Sequence, residues 1–309
     1  MRLSVLDTSP IVAGSTARQA LANTLDLAVL ADELGYHRYW VPEHHGMRGV
    51  ASAAPAVVAG RLAAATHRIR VGAGGVLLPN HAPIVVAEQF GTLTAFHPGR
   101  VDLGLGRAPG GPRSAVDLVR GGRTAPDFRE QVEELLGYFT PGDKPLAVPA
   151  AGNAPEVWLL GSSPSSARLA GELGLGYAFA RHLNPRDAAE ATRTYRSAFR
   201  PGLRSSPVTL VSVAVIAAGT DERADWLAGP NRVKVARRLR GERILLPSPE
   251  EAAPQPADPL DHVLVGSPPT LRDRLRSLAD ATGADELMVT TPVYDHADRR
   301  RSYELLACL

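Results

Sequence analysis

The sequence predicts an α/β fold, a closed (β/α)8 TIM barrel with an excursion after the seventh strand. Short apolar runs alternate with longer amphipathic runs along the chain, and eight of the apolar runs are predicted strands, nearly all followed by a helix. Parallel strands need crossover connections that cover the sheet faces, and eight βα units fit the roughly 250 residues of such a barrel. A doubly wound open sheet would show the same alternation and is the alternative.

The predicted strands are the short apolar runs, and in chain order they cover residues 3–6, 38–41, 69–78, 100–106, 157–160, 176–180, 208–216 and 286–290. The patterns between them repeat apolar side chains along one helical face. They predict helices over 18–34, 55–65, 83–96, 129–139, 165–173, 186–199 and 270–281, with a closing helix from Asp298 onward. The order of elements therefore fits a barrel, as it also fits the open-sheet alternative.

Residues 226–261 interrupt this alternation. They contain a basic patch followed by a run rich in proline and acidic residues. Their length and composition predict an excursion from the barrel, part helix and part loop, which we interpret as an insertion or lid. Because the chain shows no internal repeat, residues 1–309 are predicted to form a single domain.

The composition favours a protein that acts on small molecules. Lys and Arg total 34 against 32 for Asp and Glu, and the net charge is +2, so we expect neither a nucleic-acid nor a membrane partner. The single cysteine, Cys308, excludes a disulfide framework and favours a reducing compartment. No stretch approaches the roughly 20 apolar residues of a membrane span. A cytoplasmic location is expected.

In a barrel, the carboxyl ends of the strands build the active site. Polar residues and glycines follow almost every predicted strand. They are Asp7, Glu43-His44-His45, Gly74-Gly75, Gly106-Arg107, Gly161-Ser162-Ser163, Arg181-His182 and Thr290-Thr291-Pro292. Each group alone is unremarkable as a signal, but their recurrence predicts a site at this end.

The stretch YWVPEHHG, residues 39–46, places a carboxylate and two imidazoles at one strand end. Adjacent side chains of an extended segment point to opposite sides, so His44 and His45 are poorly placed to share one metal ion. With no HExxH helix and no nearby cysteine, no metal site is expected. One histidine is predicted to line a pocket; a histidine pair that merely caps the barrel is the alternative.

The stretch GAGG, residues 72–75, lies inside a predicted strand. Glycine there costs about 0.5–1 kcal/mol relative to alanine. Either a bulged backbone or the close approach of a flat ligand offsets that cost. We favour the ligand, and a simple bulge is the alternative.

Two further stretches could bind phosphate. GLGRAPGG, residues 104–111, resembles a dinucleotide fingerprint only weakly, because its prolines disrupt the helix that must follow, but Arg107 could grip a phosphate or pair with a carboxylate. In LLGSSPSSARLAGELG, residues 159–174, serines stand at a predicted helix start, where they could hold a phosphate or simply cap the helix. Together they would make a phosphate site.

These stretches resemble the luciferase-like monooxygenase family, barrels that use a flavin or the deazaflavin F420. The resemblance covers nearly the whole chain, with the motifs in the same order. Their arrangement is most similar to that of the branch associated with bacterial natural-product oxygenation. It rests on YHRYWVPEHHG, RIRVGAGGVLLPNHAPIVVAEQFGTL, GRVDLGLGRAPG, the serine run after VWLL, VGSPPTLRDRL and ADELMVTTPVYDHADR.

The resemblance implies roles for individual residues. His44 matches the family's active-site histidine, while Glu43 and His45 are expected to support its loop. Gly74-Gly75 matches a non-prolyl cis peptide that lies against the flavin ring. The implied cofactor contacts are completed by Arg107, Ser162, Ser163, Ser166 and His182. Luciferase has a cysteine where this chain has Gly106, so light emission is not implied, and a second phosphate-binding arginine is either Arg123 or Arg129.

The implied reaction is oxygenation of a small organic substrate by reduced FMN and O2, through a C4a-(hydro)peroxyflavin. Reduced FMN would come from a separate NAD(P)H:flavin reductase, and His44 would move a proton. A homodimer is expected from the resemblance. The alternatives are an F420-dependent oxidoreductase that transfers hydride and a non-catalytic flavin-binding protein. The sequence does not define the organic substrate.

Overall fold

The computed structural model describes residues 1–122, 124, 127–142, 146–252 and 262–309. Within these residues the chain forms nine strands. They are β1 (Arg2–Leu6), β2 (Arg38–Val41), β3 (Arg70–Leu77), β4 (Val101–Gly106), β5 (Glu156–Gly161), β6 (Gly176–Phe179), β7 (Thr209–Ala217), β8 (Leu264–Gly266) and β9 (Glu286–Thr290).

Eight of these strands close into a parallel barrel, as the sequence predicts. β1 to β7 pair in chain order, β7 then pairs with β9, and β9 pairs with β1. All of these pairings are parallel. The open-sheet alternative is therefore wrong.

The ninth strand, β8, was not anticipated from the sequence. It pairs with the end of β7 outside the ring, with Leu264 opposite Val215. A run of three residues that follows a proline-rich segment is too short to show a strand pattern.

Helices cover the outside of the barrel. They are α1 (Ala17–Glu33), α2 (Pro55–Ala63), α3 (Pro83–Phe96), α4 (Arg113–Arg120), α5 (Phe128–Gly137), α6 (Pro164–Glu172), α7 (Ala188–Ala198), α8 (Asp221–Leu239), α9 (Pro268–Thr282) and α10 (His296–Ala307). The sequence analysis did not assign α4, which begins directly after Pro112. None of the described helices has the length and apolar character needed to cross a membrane.

Two apolar layers stabilise the barrel. The larger one lies between the strands and the helices. The smaller one fills the inside of the ring and consists of Leu6, Trp40, Trp158, Ala178, Leu210 and Met288. Within it the rings of Trp40 and Trp158 meet edge to face, with 5.7 Å between their centroids. Several of the inner side chains reach the cavity described below.

A buried ionic network closes the amino-terminal end of the barrel. Arg38 donates from Nη1 to Asp102 Oδ2 at 2.7 Å and from Nε to Glu286 Oε1 at 2.8 Å. Asp102 also accepts hydrogen bonds from Trp40 Nε1 at 2.8 Å and from Arg70 Nη2 at 2.6 Å. Arg38, Asp102 and Glu286 are almost fully buried. Every charge here has an opposite partner, as burial requires.

The excursion predicted over 226–261 is in part a regular helix. Residues 226–239 belong to α8, which begins at Asp221, and residues 253–261 lie outside the described part of the chain. Between them Leu246 is buried and bridges Val12 of the loop after β1. Ala13 N donates to Leu246 O at 2.9 Å. The segment after α8 is therefore attached to a loop at the carboxyl end of the barrel.

Candidate active site

A cavity of about 530 Å³ opens at the carboxyl ends of the strands. Its size is typical of pockets for small molecules and cofactors. All eight residues that the sequence analysis assigned to the site line it: His44, Gly74, Gly75, Arg107, Ser162, Ser163, Ser166 and His182. Residues far apart in the chain meet here because they lie in or near the carboxyl-terminal parts of strands of the ring.

One wall of the cavity is bare backbone. The peptide bond between Gly74 and Gly75 is cis, as the resemblance implies, and the register of β3 against β4 shifts at this point. A Cβ atom on Gly74 would lie 2.8 Å from Trp40 Cε3, and one on Gly75 would lie 2.5 Å from Gly104 O. Neither position has room for a side chain. A flat molecule could therefore lie directly against the main chain.

The loop after β2 carries His44 and is held by its neighbour Glu43. The buried Glu43 carboxylate accepts hydrogen bonds from His45 Nε2 at 2.7 Å, His81 Nε2 at 2.8 Å and Leu77 N at 2.9 Å. Burial acts to raise the pKa of Glu43, but the hydrogen bonds and charge supplied by His81, with the bonds from Leu77 and His45, hold it below the ordinary value. The expectation that Glu43 and His45 support the loop is confirmed by these contacts.

His44 itself is half-buried at the cavity wall. Its Nδ1 atom is buried without a hydrogen-bond partner among the described residues. Burial lowers the pKa of His44 below 6.5, although the negative charge of Glu43 opposes the shift. A neutral imidazole with a free nitrogen can accept or donate a proton near neutral pH.

A second imidazole, His182, lines the same cavity. Its Nδ1 atom lies 2.6 Å from the hydroxyl of Ser212, which is on β7. Burial, with a smaller contribution from His44, lowers the pKa of His182 to about 4. This histidine is therefore neutral at physiological pH. The contribution of His44 to this shift indicates that a positive charge on His44 would disfavour one on His182.

The serine run forms the start of α6. The hydroxyl of the N-cap residue Ser163 accepts no hydrogen bond from a backbone N–H group of the helix, so ordinary capping by this hydroxyl does not explain the run. Its hydroxyl lies 3.0 Å from Ser165 Oγ, and Ser166 Oγ donates to Ser163 O at 2.7 Å. Tyr177 OH lies 3.2 Å from Ser166 Oγ. Hydroxyls and a helix amino terminus converge here, a combination that favours a phosphate.

The candidate arginines differ in position. Arg107 is exposed at the cavity mouth and forms no ion pair with any described residue. Arg129 forms ion pairs with Glu133 and Glu172 and does not line the cavity. Arg123 lies outside the described residues. A guanidinium without a carboxylate partner at a pocket mouth is free to bind an anion.

Two of the strand-end groups lie elsewhere. Asp7 does not reach the cavity, since it is fully buried and accepts a hydrogen bond from Arg299 Nη2 at 2.6 Å. Tyr39 OH donates to the other carboxylate oxygen of Asp7 at 2.5 Å. Thr290 and Thr291 do not line the cavity either. Asp7 joins the end of the first strand to the last helix and is structural.

Sequence reasoning missed three residues that shape the site: Ser212, His81 and Tyr177. Ser212 is the one hydroxyl in the otherwise apolar run LVSVAVI, which is a signal that could have been used. His81 stands in the loop that follows β3, and its contact with Glu43 depends on the fold. Tyr177 lies within the predicted strand 176–180, and nothing in that apolar run marks its hydroxyl as part of the site.

Comparison with known proteins gives a consistent picture. A profile of the family described as luciferase-like monooxygenase matches residues 1–286. The chain is 43% identical to a luciferase-like monooxygenase of Escherichia coli (strain K12), over 98% of this chain and 95% of the relative. The crystal structure of apo-MsnO8 superimposes with a TM-score of 0.94 at 41% identity, covering 99% of this chain and 97% of the other.

More distant relatives have named activities or ligands. An N-acetyl-S-alkylcysteine monooxygenase of Bacillus subtilis (strain 168) is 34% identical over 99% of this chain and 97% of the relative. The fold alone is shared, at 23% identity and a TM-score of 0.77, with the FMN complex of the oxygenating constituent of 3,6-diketocamphane monooxygenase from Pseudomonas putida; coverage is 99% and 96%. An F420-dependent secondary alcohol dehydrogenase shares it at 16% identity and a TM-score of 0.69, with 100% and 99% covered. The chain belongs to the luciferase-like monooxygenase family.

Proposed function

We propose that this protein is a monooxygenase that uses reduced FMN and O2 to oxygenate a small organic substrate. The observation that carries the proposal is the convergence, in one cavity, of a side-chain-free wall, a histidine with a free nitrogen and a helix start lined by serine hydroxyls. These three features match the three parts of the reaction: holding a flat ring, moving a proton and anchoring the cofactor.

The residues present fit FMN. The main chain at Gly74 and Gly75 would lie against the ring system, because no side chain covers the cavity wall there. Ser162, Ser163 and Ser166, with Arg107, would hold the phosphate through hydroxyls, helix N–H groups and a guanidinium. When bound, the reduced flavin supplies the electrons that activate O2.

His44 would be the catalytic residue. Its lowered pKa keeps most of the imidazole neutral at pH 7, so Nδ1 or Nε2 can take a proton during oxygen transfer and return it later. The apolar walls formed by Leu6, Leu210 and Met288 would keep water from the reacting atoms. The protein's contribution is therefore binding, proton transfer and exclusion of water.

The remaining expectations belong to this proposal. A separate NAD(P)H:flavin reductase would supply reduced FMN, the protein would act in the cytoplasm, and residues 1–309 would form one domain with a lid within 226–261.

We also propose a homodimer. Apolar side chains exposed on α2 and α3, Val57 and Phe96, support a partner surface there, and sedimentation velocity would show whether the chain is monomeric.

The organic substrate can be sought with a panel drawn from the relatives. Their names cover N-acetyl-S-alkylcysteines and a diketocamphane, which are a thioether and a ketone. These compounds differ in chemistry, so the panel samples more than one kind of oxygenation. Mass spectrometry with 18O2 would identify any compound that gains one oxygen atom from O2.

The test of the proposal needs no substrate. The complex with reduced FMN is mixed with oxygenated buffer, and O2 consumption and the return of oxidised-flavin absorbance are followed separately. We expect O2 to be consumed before the oxidised flavin returns, because the cavity protects the reacting centre from water. If both signals change together, at the rate of free reduced FMN, the proposal is wrong.

The second candidate is an F420-dependent hydride transfer, favoured by the distant neighbour that binds F420 on the same fold. The two cofactors share a ring shape and a phosphate, so the cavity alone does not separate them. A titration would: binding of F420 tighter than that of FMN, with no O2 consumption by the reduced-FMN complex, would replace the first candidate. A non-catalytic flavin carrier would bind FMN tightly and oxygenate nothing in the panel.

A further inference from the structure

We propose that Ser212 fixes the tautomer of His182, with the proton on Nδ1, so that Nε2 accepts a hydrogen bond from an N–H or O–H group of the molecule bound in the cavity. Ser212 would thus be a positioning residue that makes one cavity imidazole an acceptor. The inference rests on the proposed function only in taking reduced FMN as the bound molecule. The tautomer itself can be tested on the free protein.

The Ser212 hydroxyl contacts two groups of the protein. Its hydroxyl lies 2.6 Å from His182 Nδ1 and 3.3 Å from the carbonyl oxygen of Phe179. The residue is almost fully buried, at 4% exposure, on the inner face of β7. Leu210, two residues earlier on the same face, also lines the cavity. Ser212 is therefore a hydroxyl placed inside an apolar wall.

The number of protons decides the direction of both contacts. A carbonyl oxygen can only accept, so the single hydroxyl proton of Ser212 must point to Phe179 O if that contact is a hydrogen bond. The hydroxyl oxygen then has only lone pairs to offer His182. Nδ1 must carry the proton, and the neutral ring leaves a lone pair on Nε2. Both contacts can be satisfied together only with this tautomer.

The reverse arrangement leaves one contact unmade. If Ser212 donated to His182 Nδ1, the Phe179 carbonyl would lose this donor and Nε2 would carry the proton. The Phe179 carbonyl also accepts from Arg181 N at 3.0 Å, so it is not left without a donor in that case. The two arrangements predict opposite hydrogen-bond characters for Nε2, and they are distinguishable by measurement.

The two cavity histidines would then have different tasks. His44 has a buried free nitrogen and a neighbouring carboxylate that favours its charged form. His182 has no carboxylate within its hydrogen bonds, and its Nε2 has no hydrogen-bond partner among the described residues. The first is suited to carrying a proton, and the second to receiving a hydrogen bond. A ligand with an N–H or O–H group opposite His182 would be selected over one with a carbonyl there.

The tautomer is read directly from the 15N chemical shifts of His182 in the protein without cofactor. We expect a protonated Nδ1 and an unprotonated Nε2 in the wild type, a changed shift pattern in Ser212→Ala, and the wild-type pattern in Ser212→Thr, which keeps the hydroxyl. A His182→Asn sample assigns the signals. A protonated Nε2 in the wild type, or a pattern that Ser212→Ala leaves unchanged, would overturn the inference.

Affinity for reduced FMN tests the acceptor role. Ser212→Ala should weaken binding by roughly 5- to 10-fold, the size of one lost hydrogen bond, and Ser212→Thr should bind as the wild type does. Equal affinities for all three proteins would show that Nε2 does not accept from this cofactor. Failure of the wild type to bind FMN would contradict the proposed function, while the chemical shifts would still decide the tautomer.

Discussion

The amino end of the barrel and the cavity at its carboxyl end differ in how their polar side chains are partnered. At the amino end, both oxygens of the Asp102 carboxylate accept hydrogen bonds, and Arg38 lies between Asp102 and Glu286. At the carboxyl end, His44 keeps a buried nitrogen without a partner, and Arg107 stands at the cavity mouth without an ion pair among the described residues.

The difference separates groups that hold the fold from groups that await a ligand. A buried charge pair costs desolvation energy, which its own geometry offsets, so removing one partner destabilises the protein. An unpartnered polar group at a cavity is available to a bound molecule, which can supply the missing hydrogen bond or opposite charge. We therefore expect substitutions at the amino end to change stability and substitutions at the carboxyl end to change binding and turnover.

The largest effect is expected for His44→Ala. Removing the proton-transfer group should lower oxygen transfer to a substrate by roughly 100- to 10,000-fold. The melting temperature should stay close to that of the wild type, because His44 Nδ1 bonds nothing that the change would break. Product per reduced FMN, measured on a substrate found in the panel, is the readout.

His37→Ala is the matched control. His37 lies at the other end of the barrel, with Nε2 3.9 Å from Glu286 Oε2, and should keep wild-type turnover. Equal losses in both variants would mean that the effect of His44→Ala is not local, and wild-type yield from His44→Ala would remove it from the mechanism.

Asp102→Ala should destabilise the fold by about 3–5 kcal/mol, because it leaves the Arg38 and Arg70 guanidinium groups short of a partner in a buried place. Urea unfolding measures this free energy. Arg301→Ala, which removes an exposed pair with Glu304 at 2.8 Å, should cost less than about 1 kcal/mol. Similar losses for the two variants would deny the amino-end network a role in stability.

The free energy of unfolding should depend on pH through the protonation of His182. Its folded-state pKa is about 4 against an ordinary 6.5, so the unfolded chain takes up the proton first as the pH falls. The stability tied to this residue is complete above about pH 6.5 and falls by roughly 3 kcal/mol as the pH drops toward 4. Urea unfolding of the wild type and of His182→Asn across this pH interval isolates the contribution of His182. The variant should lose less free energy of unfolding as the pH falls. Parallel curves would contradict it.

The smallest effect is expected for Arg107→Ala. Loss of the guanidinium should weaken FMN binding by about 10-fold and leave riboflavin, which has no phosphate, unaffected. Arg129→Ala is the control, since its ion pairs with Glu133 and Glu172 lie away from the cavity. An equal loss for FMN and riboflavin would move Arg107 from the phosphate to another role. An FMN-specific loss in Arg129→Ala would reinstate it as a phosphate ligand.

The barrel and the residues that line its cavity could be predicted because both follow from the order of the strands in the chain. Strand order in the chain is strand order in the ring, so residues that end strands, such as His44 and Ser162, must meet at one rim. The rule fails for residues inside strands or at their starts. Ser212 and Arg38 act through contacts with distant strands, and no local pattern specifies which strand faces which across the barrel.

Contacts made by loops, and the shortest strand, could not be predicted from the sequence either. His81 bonds Glu43 only because two loops of the barrel lie side by side. Asp7 follows a strand as a site residue would, but Arg299 of the last helix withdraws it from the cavity. The three-residue strand β8 is defined by its pairing with β7. In each case the deciding partner is far away in sequence.

The pairing of β1 with β9 has a consequence for synthesis. The cavity walls include Leu6 and Met288, at opposite ends of the chain, and Asp7 is joined to Arg299 of α10. A nascent polypeptide whose β9 has not yet emerged from the ribosome has no finished ring. A complete cavity therefore forms only after translation has passed this last strand.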